Sequence, residues 1–292
     1  VCRDRIKNLQ RMGLRNTVTG GRMSDRDALA FVTRGSRSCI SLLSFVQGNL
    51  IGKKVTFFDG LEENDMQDAV ESFIKQYYGI FQSAPREICL LAPLEDVSSL
   101  EEYLGGLRGG RCIISCPQRG ERFRQTKLAE SNGLLELETL EKREQKSMKL
   151  LELVRDTIGL DNIPHRIEAY DISNTAGELP VASMTVFVDG KPAKKHYKKF
   201  KIKTATGGDD YGAMNGDESF LPLPDLMLID GGKGQTHIAW QQVMDHGMTF
   251  PVLGMVKDDH HRTRALVTPE GREIGITATP QLFAFVGRIQ EE

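Results

Sequence analysis

A chain of 292 residues has room for about two domains, and 39% hydrophobic with 27% charged residues is the balance of a globular chain rather than a disordered one. No apolar run approaches the roughly 18 residues that a membrane span needs, so the expectation is a cytoplasmic protein without membrane contact. A net charge of −2 excludes a uniformly basic nucleic-acid binder, and any DNA contact must come from local basic patches.

The chain starts at Val1 and carries no signal sequence, which reads as a fragment of a longer protein. Its five cysteines, Cys2, Cys39, Cys89, Cys112 and Cys116, are odd in number. Cys89 and Cys112 sit in strand-like apolar runs and read as buried free thiols of a reducing compartment. Cys112 and Cys116 lack the spacing of a zinc site.

In chain order, residues 2–12 have helical charge spacing, and the Gly-rich stretch 19–24 reads as a loop. Three β-rich runs follow at 27–33, 39–46 and 50–58, the last two joined through Gln47-Gly48-Asn49. An amphipathic helix is predicted over 62–78, with Ala69, Phe73, Ile74 and Tyr77 on one face. A strand (87–92), a helix (98–107), a strand (111–116) and a helix (119–130) complete a first βββαβαβα set. Residues 134–158, rich in Leu, Glu and Lys, predict a connecting helix. Then the order starts again, with strands at 166–172, 181–188, 191–203 and 226–230, a helix at 235–246 and a strand at 252–256. Three antiparallel strands followed by alternating helix and strand describe an α/β RNase H-like fold with a mixed sheet, here in two copies. The expected organisation is a helical segment (1–14), a first domain (25–133), a connecting helix (134–160) and a second domain (163–292).

The copies can be overlaid. Phe45-Val46-Gln47-Gly48 matches Phe187-Val188-Asp189-Gly190, and Pro85-Arg86-Glu87-Ile88-Cys89-Leu90-Leu91 matches Pro224-Asp225-Leu226-Met227-Leu228-Ile229-Asp230. The overlay sets Val32 and Leu91 against Asp171 and Asp230. The first copy then lacks acids for metal chemistry and is expected to be degenerate, a structural or docking domain.

In the second copy, Leu226-Met227-Leu228-Ile229 suggests a buried central strand, with Asp230 at its C-terminal end, where ligands bind in α/β sheets. Asp171 stands among apolar neighbours on another strand. Two carboxylates on neighbouring strands can hold Mg²⁺ or Mn²⁺, which prefer oxygen ligands, for phosphodiester cleavage. Gly231-Gly232-Lys233-Gly234-Gln235 fails the phosphate-loop pattern, because Lys233 is followed by Gly; Lys233 can still touch a DNA phosphate beside a helix N-terminus. Gly207-Gly208-Asp209-Asp210-Tyr211 fits a helix N-cap and an acidic site alike. Lys199, Lys201 and Lys203 share one strand face, which fits both a solvated edge and a phosphate-contacting surface. The loop with Asp258, Asp259, His260, His261 and Arg262 offers metal ligands and phosphate contacts together.

Those residues also carry a family resemblance. Tyr170-Asp171-Ile172-Ser173-Asn174-Thr175, Val181-Ala182-Ser183-Met184, Phe200-Lys201-Ile202-Lys203-Thr204, Gly208-Asp209-Asp210-Tyr211 and Leu228-Ile229-Asp230-Gly231-Gly232-Lys233-Gly234-Gln235 stand in the order seen in the UvrC family of excision-repair proteins. Asp25-Arg26-Asp27 and Pro117-Gln118-Arg119-Gly120-Glu121 resemble its middle region, and residues 2–12 resemble the end of its UvrB-binding hairpin. The resemblance implies a metal-dependent DNA endonuclease that incises a damaged strand 5′ to the lesion, after UvrA and UvrB have marked the site. It implies Asp171 and Asp230 as the two acids, Asp210 as a further functional acid, and a histidine just beyond Glu292. The chain departs from the family where Met214-Asn215 runs straight into Gly216-Asp217-Glu218, at the place of a basic helix. It also lacks the GIY-YIG nuclease and the helix-hairpin-helix pair. The expectation is therefore a fragment with weak or no activity. The alternatives are a non-catalytic scaffold that binds DNA or a repair partner and, on the glycine loop alone, a nucleotide-binding switch.

Overall fold

The structure, a computed structural model, describes residues 25–61, 63–173, 181–201, 222–260 and 262–292. The expected helical segment at 1–14 lies outside them. The chain divides into two compact units, Val1–Lys142 and Arg143–Glu292.

The first unit opens with strands β1 (Arg26–Arg34), β2 (Arg37–Val46) and β3 (Asn49–Asp59), paired antiparallel. Gln47 and Gly48 close the second hairpin with φ of 49° and 79°, the left-handed pair that suits the twist of the flanking strands. Helix α1 (Met66–Phe81) buries Val70, Phe73, Ile74 and Tyr78 along one stripe. Strand β4 (Glu87–Leu90) is wholly buried. Helix α2 (Val97–Arg108) starts at Asp96, whose carboxylate accepts the Ser99 backbone N–H. Strand β5 (Ile113–Ser115) completes a sheet of order β3-β2-β1-β4-β5, with β4 parallel to both β1 and β5. This is the RNase H-like order that the element sequence predicts.

Alternation along β1 sorts the core. Leu29 joins Ile40, Leu42 and the residues of α1 and α2 on one face. Ala28, Ala30 and Val32 join Cys39, Leu43, Phe45, Ala129 and Leu137 on the other. The last two residues belong to α3 (Gly120–Ile158), a single 39-residue helix where the sequence reads two. The predicted helices, 119–130 and 134–158, leave a gap at Ser131-Asn132-Gly133, but Gly133 is needed for packing. A Cβ there would stand 2.6 Å from Val32 Cγ2 and 3.2 Å from both Cys39 Sγ and Ser41 Cβ. The Cys39 thiol donates to the Gly133 carbonyl at 3.5 Å. Glycine lets the helix backbone lie directly on the sheet, and that contact outweighs its poor helix propensity of about 1 kcal/mol.

The second unit repeats the frame. Strands β6 (Arg166–Ser173) and β7 (Val181–Val188) pair antiparallel. The long strand predicted over 191–203 is instead β8 (Lys191–Pro192), a 3-10 turn at Lys194–His196 and β9 (Lys198–Lys201), both strands pairing with β7. Pro192 cannot donate to a ladder, which suits it to a strand end. Strand β10 (Leu226–Ile229) lies parallel to β6, and helix α4 (Lys233–Asp245) leads to β11 (Val252–Lys257), parallel to β10. Strands β12 (Thr263–Val267) and β13 (Glu273–Gly275) extend this edge antiparallel, and helix α5 (Pro280–Glu291) follows. These last three elements are not anticipated by the sequence reading. Leu282, Phe285, Val286 and Ile289 of α5 pack with Ile167, Ala169 and Leu228. Ala239 and Val243 of α4 pack with Tyr170, Met227 and Ile229 on the opposite face.

Strand pairing puts the two units in register. Leu29 faces Leu90 as Tyr170 faces Ile229. The Leu91 N–H donates to the Leu29 carbonyl as the Asp230 N–H donates to that of Tyr170. Arg26 faces Phe45 as Ile167 faces Phe187, and Asp189 and Gly190 repeat the left-handed hairpin pair at 50° and 73°. Leu91 is thus the counterpart of Asp230. The counterpart of Asp171 is Ala30 and not Val32, which corrects the overlay by two residues. Such a shift keeps every side chain on its face, so apolar patterning does not resolve it; only the pairing does.

Candidate active site

Asp171 lies near the end of β6, and Asp230 follows the last residue of the parallel neighbour β10. Alternation sets Ile167, Ala169 and Asp171 on the face that α5 covers, together with Leu228 and Asp230. Both acids line one cleft of about 270 Å³, with Ser183, Lys199, Met255 and Gln290 among its walls. Asp171 is exposed, whereas the Asp230 side chain keeps 20% of its surface.

Asp230 has a partner that the sequence reading missed. Lys257, the last residue of β11, donates from Nζ to Asp230 Oδ2 at 2.8 Å. The period-two signal was present: Leu253, Met255 and Lys257 alternate onto the face of Leu228 and Asp230. The rim near α5 is tied down as well. Gln290 Oε1 accepts the Thr263 backbone N–H at 2.9 Å and its hydroxyl at 2.5 Å. Glu292 accepts from the Tyr197 hydroxyl and from Lys194, both at 3.1 Å. Burial and that bond to Glu292 push the Tyr197 phenol up to about 12, and the Lys194 ammonium holds Glu292 below the ordinary carboxylate range.

The other predicted site residues disperse. Lys199 lines the cleft, its register partner Ser183 being also that of Asp171. Lys201 ends β9 two positions on. Lys203, Asp210 and His261 lie outside the described residues. Lys233 is the first residue of α4 rather than a residue before it. Its side chain lies against the turn at Gly271, where an added Cβ would stand 2.8 Å from its Cδ, Cε and Nζ. Arg262 is largely exposed and contacts Asp258 at 3.4 Å. Neither Lys233 nor Arg262 is among the residues lining the cleft. Asp258 accepts the backbone N–H groups of His260 and Arg262 at 2.9 Å each; the Arg262 bond above all holds its carboxyl low. Its oxygens close the loop.

Gly231, beside Asp230, and Gly254, on β11, serve packing. An added Cβ on Gly231 would lie 1.9 Å from Gln235 Oε1, and one on Gly254 would lie 2.1 Å from Thr236 Oγ1 and 2.6 Å from the Gly231 carbonyl oxygen. They let α4 start tight against β10 and β11.

The donor set fits a hard divalent cation. Two carboxylates share the cleft, and the Lys257 ammonium already supplies positive charge beside Asp230. Among the described residues no three His, Cys, Asp or Glu side chains gather as a metal cluster. Mg²⁺ commonly makes do with one or two carboxylates, completing its shell with water and substrate phosphate.

Comparison with known proteins follows the two units. The family described as UvrC Ribonuclease H-like domain matches residues 25–140, and that described as UvrC RNAse H endonuclease domain matches residues 155–292. UvrABC system protein C of Acetivibrio thermocellus is 33% identical, over 99% of this chain and 51% of its own length. The Clostridioides difficile protein of the same name is 33% identical, over 100% of this chain and 50% of its own. The chain thus spans about half the length of the curated relatives it matches. Among solved structures, Ciona intestinalis endonuclease V in complex with a 24mer DNA aligns over 41% of this chain and 58% of its own. At a TM-score of 0.26 and 15% identity, that likeness carries no argument. With both units matched and the relatives aligned along nearly its whole length, the chain belongs to the UvrC family.

Proposed function

We propose that the second unit is a metal-dependent DNA endonuclease of nucleotide excision repair, which nicks the damaged strand 5′ to a lesion in concert with UvrB, downstream of UvrA. The observation that carries this reading is the meeting of Asp171 and Asp230 in one cleft at the C-terminal ends of adjacent parallel strands, in a chain of the UvrC family. Asp171 and Asp230 would hold Mg²⁺ or Mn²⁺, which when bound supplies an activated water and charge stabilisation at the scissile phosphate. Lys199, on the cleft wall, binds the phosphodiester backbone, and Lys201 and Lys203 add to that contact. Lys233 and Arg262, away from the cleft, hold flanking phosphates; such contacts add affinity without sequence preference. Asp210 is a further acid of the reaction.

The first unit supports a different role. Ala30 and Leu91 stand where the second unit has its acids, so it is a docking or scaffolding unit. The test is nicking of a lesion-bearing duplex in Mn²⁺ with UvrB. Asp171→Asn and Asp230→Asn should each lower the rate by about a hundredfold or more, the scale of a lost charge-stabilising group. Nicking at the parental rate in both variants would defeat the proposal.

A further inference from the structure

Among the described residues, the Lys257–Asp230 pair is a contact at the site that catalysis by metal would have to undo. Lys257 ends β11, which pairs in parallel with β10, so both side chains leave neighbouring strand ends on one face of the sheet. The Nζ stands 2.8 Å from Oδ2, and the two side chains keep 35% and 20% of their surface. The oxygen it occupies belongs to a carboxylate that a cation would need.

We propose that Lys257 is a positioning residue that couples metal binding to phosphate binding. Without metal it is the counter-ion of Asp230, holding the carboxylate aimed into the cleft. With a divalent cation held at Asp230, Lys257 would no longer be needed as its counter-ion, and the ammonium, still tethered at the end of β11, would be available to the incoming phosphate. This inference rests on the reading of Asp171 and Asp230 as metal ligands. Its energetic consequence has a definite sign. Removing the ammonium removes a competitor for Asp230, so the ion binds more tightly. It also removes the cation that the ion sets free, so DNA gains less from metal. By linkage, the metal and the DNA phosphate each strengthen the binding of the other through the same lysine.

The test uses the 292-residue chain and its Lys257→Met variant, which keeps the length and apolar stem of the side chain. Mn²⁺ is titrated by calorimetry, and a fluorescein-labelled duplex is titrated by anisotropy with and without Mn²⁺. Lys257→Met should bind Mn²⁺ about two- to fivefold more tightly, the range of a partly exposed ion pair. The ratio of DNA affinities with and without Mn²⁺ should fall by about the same factor. Lys257→Arg, which keeps the charge, should restore the parental ratio. A lysine that only maintains the fold would weaken both affinities when removed. Equal or weaker Mn²⁺ binding by Lys257→Met would therefore overturn the proposal while leaving the metal site standing. If neither the parent nor the variant binds Mn²⁺, the reading of Asp171 and Asp230 falls, and the role of Lys257 with it.

Discussion

In the first unit the β1 face carrying Ala28, Ala30 and Val32 is covered by α3, whose backbone touches the sheet at Gly133. In the second, the same face of β6 runs Ile167, Ala169 and Asp171 and ends in a cleft, with helix α5 packed over its apolar part. Ala30 and Leu91 in one unit and Asp171 and Asp230 in the other are set by equivalent backbone hydrogen bonds. One strand order therefore serves two ends, and the difference lies in what covers the end of the first strand. A helix laid flat by a glycine seals it; a helix that packs on the apolar part of the strand and ends at the cleft wall leaves room for charge.

The comparison breaks most visibly if an acid is put back where the helix seals the sheet. Ala30 is fully buried, so Ala30→Asp should destabilise the first unit by about 3–5 kcal/mol, the scale of an uncompensated buried charge. Urea denaturation of the variant measures this, and a loss below about 1 kcal/mol would mean that the face opens to water. Gly133→Ala should cost about 1–3 kcal/mol by overpacking against Val32, although alanine is the better helix former. A gain in stability there would show that the helix does not lie on the sheet.

Alkali probes the same sealed unit. Burial, then the Glu136 charge, pushes the Cys39 thiol up to about 12 from 9.0, and burial above all pushes Cys112 up to about 11. Burial and the nearby Asp27 raise the phenols too, Tyr77 to about 12 and Tyr78 well above 10.0. The Tyr78 hydroxyl donates to Asp27 at 2.5 Å. Groups whose pKa is raised on folding contribute stability that is complete below the unfolded value and is lost as pH climbs through the folded one. The first unit should therefore hold its urea midpoint up to about pH 9 and lose it progressively toward pH 12. Cys39→Ala should flatten the early part of that decline; an unchanged slope would place the thiol in water. The smallest effect belongs to the open site. Asp171 is exposed, so Asp171→Ala should shift stability by no more than about 0.5 kcal/mol, and a larger loss would make it a structural residue.

The sequence carried the local signals well. Alternation, Gln47-Gly48 and Asp189-Gly190 marked the strands and hairpins, and the apolar run into Asp230 marked the central strand of the second unit. It carried tertiary constraints poorly. Gly133 reads as a helix break until the side chains of Val32 and Cys39 are placed beneath it. Val32 and Ala30 share a face and differ only by register. Strands β12 and β13 are short edge elements, and α5 announces itself only through Pro280 and the spacing of Leu282, Phe285, Val286 and Ile289. Alternation sets Lys257 on the face of Asp230, but which strand lies beside β11 is a tertiary fact, and the ion pair becomes legible only once β10 is placed there. Asp258, by contrast, looked like a ligand and proved to close a turn.

The account turns on where a divalent ion goes, and anomalous diffraction from crystals soaked in Mn²⁺ addresses that directly. The expected result is a peak about 2.1 Å from carboxylate oxygens of Asp171 and Asp230, with Lys257 Nζ moved off Asp230 and no peak beside Ala30 and Leu91. A peak bound only at the Asp258 loop, or a Lys257–Asp230 contact unbroken at saturating Mn²⁺, would contradict it.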